Sequence, residues 1–310
     1  MRGERRWVGV TVVALAPWIW FAVRDLGWVF ELVANTLPLL FGLAAVALAG
    51  FSVVRRRPVM AIGVGSCLLA GGAAVVGPWR PQPIPPPVQG WRIVMANVSS
   101  RNAAVDQAVA DALAQQGDLV LMLEAGEDPP APSGFTAVAL PSYSNQVILS
   151  RFPARLLDRP VNWPKRLRAH RIGVDAPSGR VVVYLAHLVR PHLGLRGVIR
   201  LPRQMAAQRR ERDALLASAR RETAPVVLVG DFNSSDRGRG YRRITDRFRD
   251  AMRSRWAGPT YAASLWRPLL LRIDHVFVPR DWCSAEPERF DLRGSDHRGV
   301  AVDVGPCPAL

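Results

Sequence analysis

Six places in the chain set a chemically capable side chain at or near the end of an apolar run. They are Asn97 after RIVMA, Glu124 after DLVLML, His187 after VVVYLA, Asp231 with Asn233 after VVLVG, Asp274 in RIDHVF, and Asp296-His297 in RGSDHRGV. Taken singly, each has a plain explanation. Glu124 suits a cap, His187 a hydrogen-bonded core position, and Asp231, Asn233 and Asp296 suit turns. Taken together, they are carboxylate and amide oxygens with two imidazoles, the groups that hydrolysis of an anionic phosphoester requires. The ester repels hydroxide, so cationic charge must sit on its oxygens and a base must deprotonate water. A hard divalent ion takes oxygen ligands, and an imidazole oriented by a carboxylate can exchange the proton.

The elements that would carry these groups alternate along the second half of the chain. Strands are expected at 91–97, 118–123, 135–140, 145–150, 171–176, 180–186, 225–230, 272–278 and 299–304, with helices over 103–116, 202–220 and 238–246. The run before Asp231 is apolar throughout, as in a strand buried on both faces, so its carboxylate belongs on the rim of a sheet. Runs 171–176 and 180–186, joined by PSG, read as a hairpin. The sheets are therefore mixed, and two stacked sheets flanked by helices are the economical α/β arrangement.

In that order, the segments NVSSRN, LMLEAG, ILSRFP, YLAHL, GDFNSSD, RIDHVFV and GSDHRGV resemble the ordered motifs of the endonuclease/exonuclease/phosphatase superfamily over residues 91–304. The resemblance implies a four-layered α/β sandwich and divalent-metal-dependent cleavage of phosphoester bonds, with Mg²⁺ or Mn²⁺ as the ion. By motif it implies Glu124 as the principal metal ligand, Asn97 assisting and Asp296 as a further one. It implies His297 as the base that accepts the proton of water, oriented by Asp274. Asp231 and Asn233 would align the water and hold phosphoryl oxygens, and His187 would stabilise developing charge. Leu123 stands where many relatives have Gln, and Ser99 where some nucleases carry a second acidic ligand, which leaves one metal or two open. His170, His192 and His275 have no motif role, and Asp236 reads as loop.

The first 80 residues are of another kind. Apolar runs over 7–23, 28–54 and 58–79 approach or exceed the ~20 residues that cross a bilayer, so three membrane helices are expected. Arg2, Arg5, Arg6 and Arg55 to Arg57 oppose Arg24 and Arg80, which places the amino terminus and the triple-arginine loop in the cytoplasm and everything past residue 80 outside. The proline-rich stretch 81–90 is a stiff linker to a catalytic domain over 91–306. The membrane helices resemble those of a bacterial branch of the superfamily related to glycopeptide-resistance proteins. That likeness implies a lipid-linked phosphate such as undecaprenyl pyrophosphate as substrate. The net charge of +16 suits any anionic partner, and a surface nuclease acting on DNA or RNA is the alternative. Of three cysteines, Cys283 and Cys307 fall in the exported part and could pair there.

Overall fold

The computed structural model describes residues 60–99, 102–126, 131–141, 144–191, 200–261 and 270–309, with scattered positions before residue 60. Twelve described strands form two sheets of six. In the first sheet the order is β11 (Trp282–Asp291), β12 (Arg298–Pro306), β1 (Trp91–Asn97), β2 (Leu119–Leu123), β4 (Gln146–Ser150), β3 (Thr136–Ala137). In the second it is β5 (Ala154–Leu157), β6 (Arg168–Ala176), β7 (Gly179–His187), β8 (Val226–Asp231), β10 (Asp274–Pro279), β9 (Phe248–Asp250). Both sheets are mixed: β1 runs parallel to β2, β7 runs parallel to β8, and the remaining pairs are antiparallel.

Side-chain alternation along the strands sorts the apolar residues into layers. Ile93, Met95, Leu119 and Leu121 of one sheet pack with Val183, Leu185, Val227 and Val229 of the other, filling the space between them. On its outer face the first sheet turns Val94, Ala96, Val120 and Met122 to helix α2 (Val105–Leu113). The second sheet turns Val182, Tyr184 and Leu228 to α3 (Leu201–Ala219) and α4 (Arg239–Thr245). Helix, sheet, sheet and helix make four layers. β1, β2, β7 and β8 are therefore apolar on both faces and break that pattern only near their ends.

Three strands escape the sequence pattern. β5 and β9 are short edge strands. β11 is a long edge strand of alternating charge, with a bulge between Ala285 and Glu288 where Glu286 has a positive φ of 44° and Pro287 follows. Proline, bulge and exposed charge are how an edge strand avoids further pairing, and they also hide it from a hydrophobic pattern. Conversely, 135–140 is strand only at Thr136–Ala137.

Helix α1 spans Met60–Val76, 17 residues. Among the described residues no helix is long and apolar enough to cross a membrane. Of the expected crossing over 58–79, the described residues form α1 followed by a 3₁₀ turn at Gly77–Trp79. The expected crossings over 7–23 and 28–54 fall largely outside the described residues. The linker is pinned to the domain, with Gln82 N donating to Arg253 O at 2.6 Å and Val88 N to Pro306 O at 2.8 Å. Cys283 and Cys307 form a disulfide, Cα to Cα 4.8 Å, tying the edge strand to the end of the chain.

Gly230, one residue before Asp231, has φ +143°, and a Cβ there would lie 1.9 Å from the Ala186 carbonyl oxygen. Because that neighbour is backbone of the adjacent strand, Gly230→Ala should cost about 2 kcal/mol or more. The loss would be read from the midpoint of urea denaturation.

Candidate active site

Strand register assembles the site before any side chain is considered. In the second sheet His187 of β7 pairs with Asp231 of β8, and Asp231 pairs with Asp274 of β10, so three polar groups lie in one row across the sheet. In the first sheet Asn97 pairs with Leu123, which sets Glu124 just beyond the end of β2 with φ +56°. Asn97 Nδ2 donates to Asp231 Oδ2 at 3.2 Å and so joins the two sheets across their shared rim. His187 Nε2 lies 3.7 Å from both Glu124 Oε1 and Asp231 Oδ2.

His297 closes the arrangement from the turn before β12. Its Nδ1 meets Asp274 Oδ2 at 2.8 Å, and its Nε2 lies 3.9 Å from Asp231 Oδ2. With the carboxylate on one ring nitrogen, the tautomer is fixed and Nε2 faces the cleft. Ser295 clips this turn in place: its hydroxyl donates to Asn97 O at 2.7 Å and accepts from His297 N at 3.0 Å. Thr260 Oγ1 accepts from the amides of Ile273 and Asp274, both at 3.1 Å, and fixes the start of β10. The Tyr261 ring meets His297 edge to face at 5.0 Å, and Arg190 donates to the Tyr261 hydroxyl.

The GDFN turn divides its labour by residue. Phe232 is buried in the outer layer of the second sheet, edge to face with Phe277. Asn233, at φ +47°, donates its backbone N–H to Asp231 Oδ1 at 2.8 Å and its Nδ2 to Leu188 O at 2.9 Å. Its amide nitrogen therefore holds the adjoining loop, while Asp231 is the member of the pair that faces Asn97 and His297. Gln208 of α3 donates to Asn233 O at 2.8 Å and supports the turn from behind. Asp296 lies close enough to Tyr261 and His297 for its charge to raise the pKa of both.

Burial pushes the Asp231 carboxyl above its ordinary range, the charge of Asp274 adds to the shift, and His297 and His187 oppose it. For His297, burial acts downward, but the hydrogen-bonded Asp274 carboxylate, with Asp231 and Asp296 nearby, raises the imidazole to about 9. His275 differs: burial, aided by Arg272, lowers it to about 4, as in a neutral core histidine.

Asp231, Asp274 and His297 each offer a ligand atom, and these lie within 4.8 Å of one another; among the described residues this is the cluster of that kind that closes. Asp274 Oδ1 is buried with no hydrogen-bond partner. A buried acceptor without a donor and a carboxyl raised by its neighbour's charge both mark a place where positive charge is missing. The oxygens of Glu124, Asn97 and Asp231 on the same rim suit a hard divalent cation. Of the expected ligand set, Glu124 and Asn97 stand on this rim, and Asp296 lies beside His297 and Tyr261. Thr260, Tyr261 and Gln208 carried no signal in the sequence, whereas Ser295 lay inside the GSDH motif.

Residues 94–297 match the model of the Endonuclease/Exonuclease/phosphatase family. No curated protein matches the chain significantly. The fold is similar to that of an endonuclease/exonuclease/phosphatase from Beutenbergia cavernae, with TM-score 0.50, 21% identity, and 70% of this chain and 72% of that one covered. It is also similar to the human Nocturnin catalytic domain, with TM-score 0.50, 12% identity and coverage of 70% and 95%. An AP endonuclease from Archaeoglobus fulgidus matches with TM-score 0.50, 14% identity and coverage of 68% and 98%.

The raised His297 imidazole gives a test free of any substrate. Asp274→Asn should bring its pKa, followed by NMR, down from about 9 toward the ordinary ~6.5. Because the folded value is the higher one, the pair's contribution to stability is full below ~6.5 and is lost as pH rises through about 9. That alkaline loss should be smaller in the variant.

Proposed function

The chain belongs to the endonuclease/exonuclease/phosphatase family, and on that footing we propose that it is a Mg²⁺-dependent hydrolase of a lipid-linked phosphate, tethered to a bacterial membrane with its cleft on the outer side. That it hydrolyses phosphoester bonds with a divalent metal follows from the family. The observation that carries the chemistry is His297, held at 2.8 Å by Asp274 with Nε2 directed toward Asp231.

Glu124, Asn97 and Asp231 would hold the cation, which when bound supplies positive charge to the phosphoryl oxygens. His297 in its neutral form accepts the proton of the attacking water at Nε2, and Asp274 steadies the imidazolium that results. Asp231, fixed by the Asn233 amide at 2.8 Å, orients that water. His187 at the opposite end of the row donates to the leaving oxygen. The P–O bond to that oxygen breaks as the water oxygen bonds to phosphorus.

Three features support the choice of substrate and side. The apolar sequence ahead of residue 60 and the exposed Leu68 and Leu69 of α1 suit a membrane tether. The Cys283–Cys307 disulfide suits an oxidising compartment. The arginine-rich exported part, with 33 basic against 22 acidic residues after residue 88, also suits nucleic acid, which keeps a nuclease as the second reading.

Full-length protein in detergent with Mg²⁺ should release phosphate from undecaprenyl pyrophosphate or another lipid phosphate and leave supercoiled plasmid intact. His297→Ala should lower the rate by about 10²–10⁴-fold, and chelation should abolish it. Plasmid nicking without phosphate release would replace this substrate by nucleic acid.

A further inference from the structure

Neither sheet by itself fixes the distance between Asp274 and His297. Asp274 opens β10 of the second sheet and His297 stands just before β12 of the first, and among the described strands no ladder joins those two. Each residue lies where its own ladder begins. Yet Nδ1 of the imidazole meets Oδ2 of the carboxylate at 2.8 Å.

One buried residue outside both strands reaches both groups. Thr260 is 1% exposed, and its Oγ1 accepts from the amides of Ile273 and Asp274, both at 3.1 Å. Its carbonyl oxygen accepts at 2.7 Å from the amide of Arg298, the residue after His297. Tyr261 repeats this double attachment with single antiparallel bridges to Leu271 and to His297. The segment is tied in turn to the first sheet, where Arg289 of β11 donates to Pro259 O at 2.9 Å. The side chain of Thr260 therefore holds the strand of the carboxylate, while its main chain holds the turn of the imidazole.

The residue type suits this task. Two N–H groups converge on one oxygen, so the acceptor needs two lone pairs, and a carboxylate there would repel Asp274; a hydroxyl meets both conditions. Branching at Cβ restricts χ1 and keeps that oxygen in one place. Support for the start of β10 would account for the side chain alone. Because the same residue also bonds the turn that carries His297, a displacement of Thr260 moves the two reacting groups relative to each other. We infer that Thr260 is a positioning residue for the reaction, its hydroxyl and carbonyl oxygens together setting the Asp274–His297 contact across the two sheets. The inference rests on His297 acting as the base, as proposed above.

The test compares full-length Thr260→Val, which keeps the shape and removes the acceptor, with Thr260→Ser, which keeps the acceptor. Hydrolysis is followed on bis(p-nitrophenyl) phosphate with saturating Mg²⁺, so the identity of the natural substrate does not enter. Thr260→Val should lower kcat about 10–100-fold with KM within about twofold, the scale of a ~1 Å misplacement, and Thr260→Ser should recover kcat to within about threefold of wild type. In the proton NMR spectrum, the low-field resonance of the His297 Nδ1–H bonded to Asp274 should move upfield in Thr260→Val and stay in place in Thr260→Ser. If Thr260→Val does not fold, Thr260→Cys, whose sulfur is a weak acceptor, carries the same expectation. A residue that only supports β10 would lower the denaturation midpoint and leave both kcat and the resonance of the folded protein unchanged, and that result would overturn the inference, as would a loss confined to KM. Should His297→Ala be as active as wild type, the base assignment falls, and the resonance alone decides whether Thr260 sets the contact.

Discussion

Two carboxylates face one another across adjacent antiparallel strands, Asp231 on β8 and Asp274 on β10, both shut away from bulk water. Like charges so placed repel in a medium that screens them poorly, and the surrounding structure reads as a set of answers to that repulsion. His297 takes the second carboxylate, Asn97 and the Asn233 amide take the first, and His187 stands at the end of the row. What these contacts leave unanswered, including the unpartnered Asp274 Oδ1, is negative charge that a divalent ion would offset. The residual repulsion is therefore a source of affinity for the ion and for the proton that moves during reaction.

Holding that cluster in register falls to groups that never touch it. The buried ladder of Asp236, Arg272, Asp250 and the Tyr241 hydroxyl locks the loop after GDFN to the segment leading into β10 and to the edge of the sheet. Each member is costly to bury alone and tolerable only with the others. The sequence suggests a loop at Asp236, and the residue does lie in a turn, but one that is 3% exposed and bonded to a residue 36 positions away.

That contrast marks what a sequence shows and what it hides. β1, β7 and β8 are visible because burial on both faces forces unbroken apolar runs, and the polar residue ending each run is conspicuous for the same reason. His297 and Asp274 are legible as motif residues. Their mutual distance is not, since it depends on β10 and β12 lying in different sheets that close over a common rim. Thr260, Gln208 and Tyr261 act through single long-range bonds that leave no periodic trace, and β11 is concealed by its own edge protection. α1 is legible as apolar, while its carboxy-terminal end is set by Pro78 and by Trp79 packing into the core between the sheets rather than by composition.

The linker meets the first sheet where β1 begins, at Trp91, with Val88 bound to the tail of β12. Asn97 stands at the other end of the same strand, about 20 Å away at ~3.3 Å per residue. Along this strand, attachment and catalysis occupy opposite poles. If the attachment pole rests against a bilayer, an upright domain holds its mouth above the headgroup layer, and a substrate kept by its own tail in the membrane meets that mouth only when the domain reclines. The linker cannot supply that tilt, since Gln82 and Val88 bind it to the domain, so the orientation of the mouth would be fixed by whatever lies ahead of residue 82.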